Sequence, residues 1–475
     1  MTGTIKADIC VIGAGSGGLS VAAGAAQLGA RTVLIEHGRM GGDCLNYGCV
    51  PSKSLLAAGH AAARPRGATA FGVDFALPSI DGGRVYGHVR DVIAGIAPHD
   101  SVERFEGLGC TVLQAHARFV GPDAVEAGDT RVVARRFVIA TGSSPRVPSI
   151  PGIDATPYLT NETIFALGTV PAHLIIVGGG PIGVEMAQAH RQLGARVTVL
   201  EIGSLLPKDD PELVAVLRAR LQGEGIELIE GVQIASVAAA AAGIEVTLLR
   251  NGSSAVLSGT HLLIATGRQP NVDDLDLEKA GIDVTPKGIA VDARLRTRNH
   301  RVYAIGDVTG GYQFTHVAGY HAGIVIRNVL FRMPSKVDRA VIPWVTYTDP
   351  ELAQVGLTEG EARKRHGDAI RVLRSSYAEN DRARAERVVG GLAKVITTRR
   401  GTILGAGIVG SGAGEVIQTW VLAMASRLKI GAVVTMIAPY PTLGEINKRV
   451  AGSFYTPMLF GSRSRLLVKV LSWFG

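Results

Sequence analysis

Short apolar runs that end in glycine set the rhythm of the first half of this chain. "DICVIGAGSGG" (8–18) passes from a continuous apolar run into glycines, then into a helix-period stretch, then into "TVLIE" (32–36). "LIIVGGGPIGVE" (174–185) follows the same course and closes on "VTVLE" (197–201). The second unit copies the first at an offset of 165 residues: Gly13, Gly15 and Gly18 fall on Gly178, Gly180 and Gly183, and Glu36 falls on Glu201. Continuous apolar runs read as strands buried on both faces, and strand, turn, helix, strand in that order reads as a parallel sheet.

Each unit is a G-x-G-x-x-G turn with an acid at the end of the next strand, a pattern that predicts a dinucleotide site. The first glycine permits the tight turn, the second lets backbone approach a pyrophosphate, and the third lets helix pack on strand. The helix N-terminus faces the phosphates and the acid accepts from a ribose. Two such sites in one chain suggest FAD and a nicotinamide nucleotide. A second repeat agrees: "FVIATGSSP" (137–145) and "LLIATGRQP" (262–270) each end a strand in Ala-Thr-Gly. "VYAIGDVTG" (302–310) then places Asp307 at a strand end, to bond ligand hydroxyls or to cap a turn.

Composition changes this picture little. A chain of 475 residues calls for two to four domains. With 47% hydrophobic residues and 61 glycines it is globular rather than disordered. The formal charge of +8 invites a nucleic-acid partner. The basic residues are scattered, however, apart from clusters at 361–367 and 380–387, so a solvated basic surface is expected and no nucleic acid. Four cysteines are too few for a disulfide-built secreted protein, and the N-terminus enters an apolar strand without a signal-peptide pattern, so a cytoplasmic location is expected. No uninterrupted apolar stretch is long enough to span a membrane.

"GGDCLNYGCVPSK" (41–53) holds Cys44 and Cys49. A metal site, a structural disulfide and a redox pair are the three readings. Zinc needs about four Cys or His ligands at recognisable spacings, and none are present. A structural disulfide is disfavoured in cytosol, which leaves the redox pair. Residues five apart on a regular helix have Cα atoms roughly 8–9 Å apart, whereas a disulfide needs less than about 7 Å. The Asn46-Tyr47-Gly48 segment must therefore leave the helix. Pro51 suits the first turn of a following helix, whose N-terminus favours a thiolate.

That motif resembles the redox centre of the class I flavin disulfide reductases, among them dihydrolipoamide dehydrogenase, glutathione reductase and mercuric reductase. "ATGRQPN", "VYAIGDV", "VTYTDPELAQVGLTE" (345–359) and "ILGAGIVGSGAGEVI" (403–417) resemble family segments in the family order. The resemblance implies an α/β protein with two Rossmann-like domains, for FAD (1–146 and 271–336) and NAD(P) (147–270), and an α+β dimerisation domain (337–475). It implies a homodimer. By the same likeness Cys44 is the thiol that meets substrate and Cys49 the thiol beside the flavin, with Lys53 and Glu185 an ion pair there. Glu36, Gly13, Gly15, Gly18, Ala117, Thr141, Gly142, Asp307 and the stretch Gln313, Phe314, Thr315, His316 would contact FAD. Gly178, Gly180, Gly183, Glu201 and Gly267 would hold NADH, preferred over NADPH because Glu201 repels a 2′-phosphate. A scaffold that keeps dead nucleotide sites is the non-catalytic alternative.

The chain departs from the family at "APYPTLGEI" (438–446). Dihydrolipoamide dehydrogenase and glutathione reductase carry a His where this chain has Tyr440, and Glu445 is kept. An unperturbed Tyr ionises near pH 10, against about 6.5 for His, so it is a poor proton acceptor. Mercuric reductase is similar here, which makes a soft metal ion the expected acceptor, held transiently by Cys44 and Cys49. A small disulfide such as lipoamide is the alternative. No resident structural metal is expected. The final segment, "SFYTPMLFGSRSRLLVKVLSWFG", lacks the cysteine pair that mercuric reductase carries. Within it Leu466, Leu467, Val470, Leu471 and Phe474 recur at helical spacing, with Arg463, Lys469 and Ser472 between. Packing at the dimer interface is the preferred reading, and weak contact with an anionic membrane is the alternative.

Overall fold

A computed structural model describes residues 3–250 and 252–474. The chain folds as two compact units. The first runs to Gly178 and takes in Ala189–Leu200 and Val232–Val337; the second joins Gly179–Gln188, Glu201–Gly231 and the chain from Asp338 onward.

The first unit is organised by strand Gly3–Ile12, which lies between parallel strands Thr32–Glu36 and Thr130–Ile139. Cys110–Gln114 extends the sheet beyond Thr32–Glu36, and Val302–Ala304 pairs in parallel with Thr130–Ile139. The register matches Ile12 with both Ile35 and Ile139, and Ile139 with Ala304. All these strands therefore stop at one edge, which collects Gly13, Glu36, Ala140 and Gly306. The continuous apolar runs are explained by burial on both faces. Cys10, Ile12, Ile35 and Phe137 face one core, while Ile9, Val11, Leu34 and Val138 face another that includes helices Ser16–Gln27 and Thr315–Val329.

The second glycine motif follows a similar strand. His173–Val177 lies between parallel Arg196–Glu201 and His261–Ile264, with Val177 opposite Leu200 and Ile264. Strands Gln233–Ala240, Gly243–Arg250 and Ser253–Gly259 form a separate antiparallel sheet.

In the second unit, residues from Pro343 to Gly410 make a five-stranded antiparallel sheet. Helices Gln418–Ala425 and Glu445–Gly452 contribute to its core around the fully buried Trp420, whose indole N–H donates to Asn447 at 2.7 Å. Lys394 is buried on this sheet and is paired with Asp210, Glu212 and Glu359 at 2.9, 2.8 and 2.7 Å. A buried ammonium is tolerated only with partners of this kind. The expected mixed α/β architecture with an α+β C-terminal part is what the chain adopts.

Candidate redox and nucleotide sites

The helix that opens the redox motif, Gly42–Asn46, ends at Tyr47, and a new helix, Cys49–Ala68, starts two residues later. Gly48 between them has φ −121° and ψ −110°, far from helical values. A Cβ there would lie 2.8 Å from an Asp43 carboxylate oxygen, so the step is closed to larger residues. The Asn46 amide secures the first turn by donating to the carbonyls of Met40 and Gly42 at 3.0 and 2.9 Å. Pro51 lies in the first turn of the new helix, where it forfeits no helical hydrogen bond. The departure from helix brings Cys44 and Cys49 together as hydrogen-bonded free thiols.

Charge is divided unequally between them. Cys49 ionises well below the ordinary thiol range. The chief cause is the hydrogen bond from Cys44; Thr315 and the Lys53 ammonium add to it, while burial and Asp43 oppose it. The Thr315 hydroxyl lies 3.3 Å from the Cys49 sulfur. Cys49 and Thr315 each begin a helix, of 20 and 15 residues, so two helix N-termini favour negative charge at this sulfur. Cys44 moves the other way, through its bond to Cys49, then burial, then the charge on Cys49. Negative charge is thus favoured on Cys49 and disfavoured on Cys44. Cys49 is also the exposed thiol, and Cys44 is half-buried.

Sequence reasoning missed the residues that brace this motif. Arg268 is only 10% exposed and bonds Asp43 at 3.0 Å, the Ser143 hydroxyl at 2.7 Å and the Ser143 carbonyl at 2.6 Å. Ser143 in turn donates to Asp307 at 2.7 Å. Asn161 donates to Asp43 and to the Tyr47 carbonyl at 3.0 and 3.2 Å. Arg268 thus ties the redox loop to the strand-end acid, Asp307, whose carboxyl burial pushes up. Its position directly after Ala-Thr-Gly was the available signal. Asn161 carried none.

The two glycine motifs are built alike. Glu36 accepts from the N–H groups of Ala14 and Gly38 at 2.6 and 2.7 Å. Glu201 accepts from Gly179 and Gly203 at 2.7 and 2.8 Å, the same positions in the repeat. Gly13 and Gly178 have φ +103° and +114°, and a Cβ on either would lie 2.4 Å from the carbonyl of Ala140 or Ala265. At the middle positions the space is open: nothing lies within 4 Å of a Cβ on Gly180, and only a Gly42 backbone atom reaches that distance from Gly15. A tight turn, a bare approach and a fixed acid fit a dinucleotide pyrophosphate and ribose.

The other expected residues are distributed as follows. Thr141 donates to the Asn271 carbonyl at 2.7 Å, and Gly142 and Gly267 hold positive φ. Phe314 and His316 stack with ring centroids 5.3 Å apart, and Gln313 is half-buried beside them. The Ala117 side chain belongs to the core, so it could meet a cofactor only through its backbone. Gly18 packs so close to Gly13 that a Cβ would lie 1.8 Å from its carbonyl, and Gly183 lies on helix Pro181–Gln192. Glu185, on that helix in the second unit, is buried and accepts from the Tyr347 N–H at 2.9 Å. Tyr440 is 72% exposed, and its hydroxyl donates to Asp381 at 3.2 Å, the main cause that raises its pKa. Glu445 begins helix Glu445–Gly452 and accepts from the Thr442 N–H at 3.4 Å. Among the described residues no cluster of three His, Cys, Asp or Glu is arranged to hold a metal, and no helix is long and apolar enough to cross a membrane.

Comparison with known proteins gives consistent matches. The sequence model described as pyridine nucleotide-disulphide oxidoreductase matches residues 7–322, and its dimerisation domain matches 342–451. A mercuric reductase from Bacillus cereus is 34% identical over 446 residues, 93% of this chain and 70% of that protein. A dihydrolipoyl dehydrogenase from Geobacillus stearothermophilus is 32% identical over 458 residues, 94% of this chain and 96% of that protein. Among solved structures, the Cu(II) complex of the HOCl-induced flavoprotein disulfide reductase RclA from Escherichia coli aligns with TM-score 0.83 at 28% identity, covering 94% of this chain and 99% of that one.

Because the Cys44 hydrogen bond is the chief cause that lowers Cys49, Cys44→Ala moves the Cys49 titration to higher pH, and Lys53→Met moves it in the same direction by less. Ultraviolet thiolate absorbance of the reduced protein, followed against pH, measures both. An unchanged titration in Cys44→Ala contradicts the assignment.

Proposed function

The chain belongs to the pyridine nucleotide-disulphide oxidoreductase family, and on that premise we propose that it takes electrons from NADH, by way of FAD, into the Cys44–Cys49 disulfide and delivers them to a soft metal ion. It is an NAD(P)H-dependent flavin disulfide oxidoreductase, and its match to a dimerisation domain suggests a homodimer. We assign FAD to residues 1–146 and 271–336, NADH to 147–270 and dimer contacts to 337–475, in the cytoplasm. FAD, when bound, supplies the relay that turns a nicotinamide hydride into an electron pair for the disulfide. The protein's part is to hold it, through Glu36, the first glycine turn and Asp307, and to keep Cys49 ionised. Lys53 and Glu185 are assigned as the charged pair beside the reactive ring.

The observation that carries the acceptor reading is Tyr440. Its hydroxyl donates to Asp381, which raises its pKa, so it gives up its proton less readily than a free tyrosine. Disulfide exchange needs a proton for the departing thiolate, and general acid-base help is worth about 10²–10⁴-fold. Metal reduction needs no such proton. The Cys44 thiol and Cys49 thiolate yield an electron pair, release the Cys44 proton to water and rejoin as a disulfide, while one Hg(II) becomes Hg(0) or two Cu(II) become two Cu(I). Soft thiolates suit these ions. The mercuric reductases among the relatives and the Cu(II) complex of the RclA neighbour support the same class of acceptor.

Glu201 supports NADH as donor. Its carboxylate is fixed by two backbone N–H groups and would repel a 2′-phosphate. Lys208 is a weak counterweight, because it is followed directly by Asp209 and Asp210. We expect kcat/KM for NADH to exceed that for NADPH by about tenfold or more, since a 2′-phosphate against a carboxylate loses well over 1 kcal/mol; an NADPH advantage in the same assay overturns this.

Steady-state assays with Hg(II), Cu(II), lipoamide and glutathione disulfide test the acceptor. We expect metal-dependent NADH oxidation and disulfide activity about 10²–10⁴-fold below it. Tyr440→His should gain disulfide activity. Efficient lipoamide reduction by the wild type without metal-dependent turnover would establish the small-disulfide reading instead.

A further inference from the structure

The end of the chain is used by none of this chemistry. Helix Ser462–Leu471 has no buried residue, and the dimerisation match stops at residue 451. At about 100° per residue, Leu466 and Val470 form one row, with Leu467 and Leu471 along one flank. Lys469 lies on the other flank, and Arg465 and Val468 lie opposite. Trp473 and Phe474 follow the end of the helix. The apolar side chains are open: Leu466 is 61% exposed, Trp473 73% and Phe474 83%. Met458, Leu459 and Phe460, just before the helix, are exposed as well.

Charge says what covers this face. From Ile446 onward the sequence holds Lys448, Arg449, Arg463, Arg465 and Lys469 and no aspartate or glutamate. A second copy would bring the same basic tail, with no carboxylate from that segment to receive it. A partner that is apolar within and anionic at its surface matches both sides of the helix. We propose that helix Ser462–Leu471 lies along the surface of an anionic lipid bilayer, its leucine row among the acyl chains and its basic row among the headgroups. Trp473 and Phe474 then sit at the interfacial depth that aromatic rings favour. Ten residues rise only about 15 Å, half the hydrocarbon thickness, so the helix lies in the surface and does not cross. Binding of this kind is reversible and weakens with salt.

Trp473 reports on the proposal directly, because the other two tryptophans, Trp344 and Trp420, are buried. The full-length FAD-loaded protein is titrated with vesicles of phosphatidylcholine and phosphatidylglycerol, and with phosphatidylcholine alone. The expected result is a blue-shifted emission and flotation with the anionic vesicles only, with the shift absent in Trp473→Phe. Leu466→Gln/Val470→Gln and Arg465→Glu/Lys469→Glu should each raise the half-saturating lipid concentration by about tenfold or more, with FAD content and dimer mass unchanged. Equal binding to both vesicle types, no binding by the wild type, or a shift from dimer to monomer in either variant overturns the proposal.

Discussion

A regular helix from Gly42 through Ala68 would hold Cys44 and Cys49 too far apart to form a disulfide, so the site depends on the non-helical step at Tyr47 and Gly48. That step does more than shorten a distance. It starts a fresh helix at Cys49 and so places the sulfur at a positive helix end, within 3.3 Å of the hydroxyl that opens another helix. Once the thiols meet, the hydrogen bond between them favours the proton on Cys44 and the charge on Cys49. Two chemically identical side chains thereby acquire different roles from their surroundings, the helix ends, Thr315 and Lys53.

The rest of the first unit serves to present that step. Parallel strands that end in register bring Gly13, Glu36, Ala140 and Gly306 to one sheet edge, where a dinucleotide is bound in folds of this type. Each strand-end glutamate accepts from one backbone N–H of its glycine turn and one just beyond its own strand, so it shapes the cradle as well as offering oxygens to a ribose. The same two bonds recur at equivalent positions of the repeat, which explains why an acid follows both glycine motifs. Arg268 joins this edge to the redox loop through Asp43 and Ser143.

Much of this was legible in the sequence because it rests on local backbone demands. The glycine turns, the buried parallel strands and the helix break at Tyr47–Gly48 each follow from spacing and steric limits within a few residues. The division of charge between the cysteines was only half legible: the helix N-terminus at Cys49 could be read, but the contribution of Thr315, 266 residues away, could not. Asn161 and Asp381 went unread for the same reason, since each acts across the fold on a partner that no sequence spacing encodes. Arg268 had a signal in the repeated Ala-Thr-Gly that precedes it. Ala117, read as a cofactor contact by resemblance, has a side chain committed to packing.

The central claim is that Cys44 and Cys49 are the outlet for electrons that enter from a nicotinamide. Anaerobic addition of NADH to the oxidised, FAD-loaded protein, followed by alkylation and mass spectrometry, tests it most directly. The account predicts that Cys44 and Cys49 are protected before NADH and modified after it, while the buried Cys10 stays unmodified throughout. Identical modification of Cys44 and Cys49 with and without NADH would contradict it.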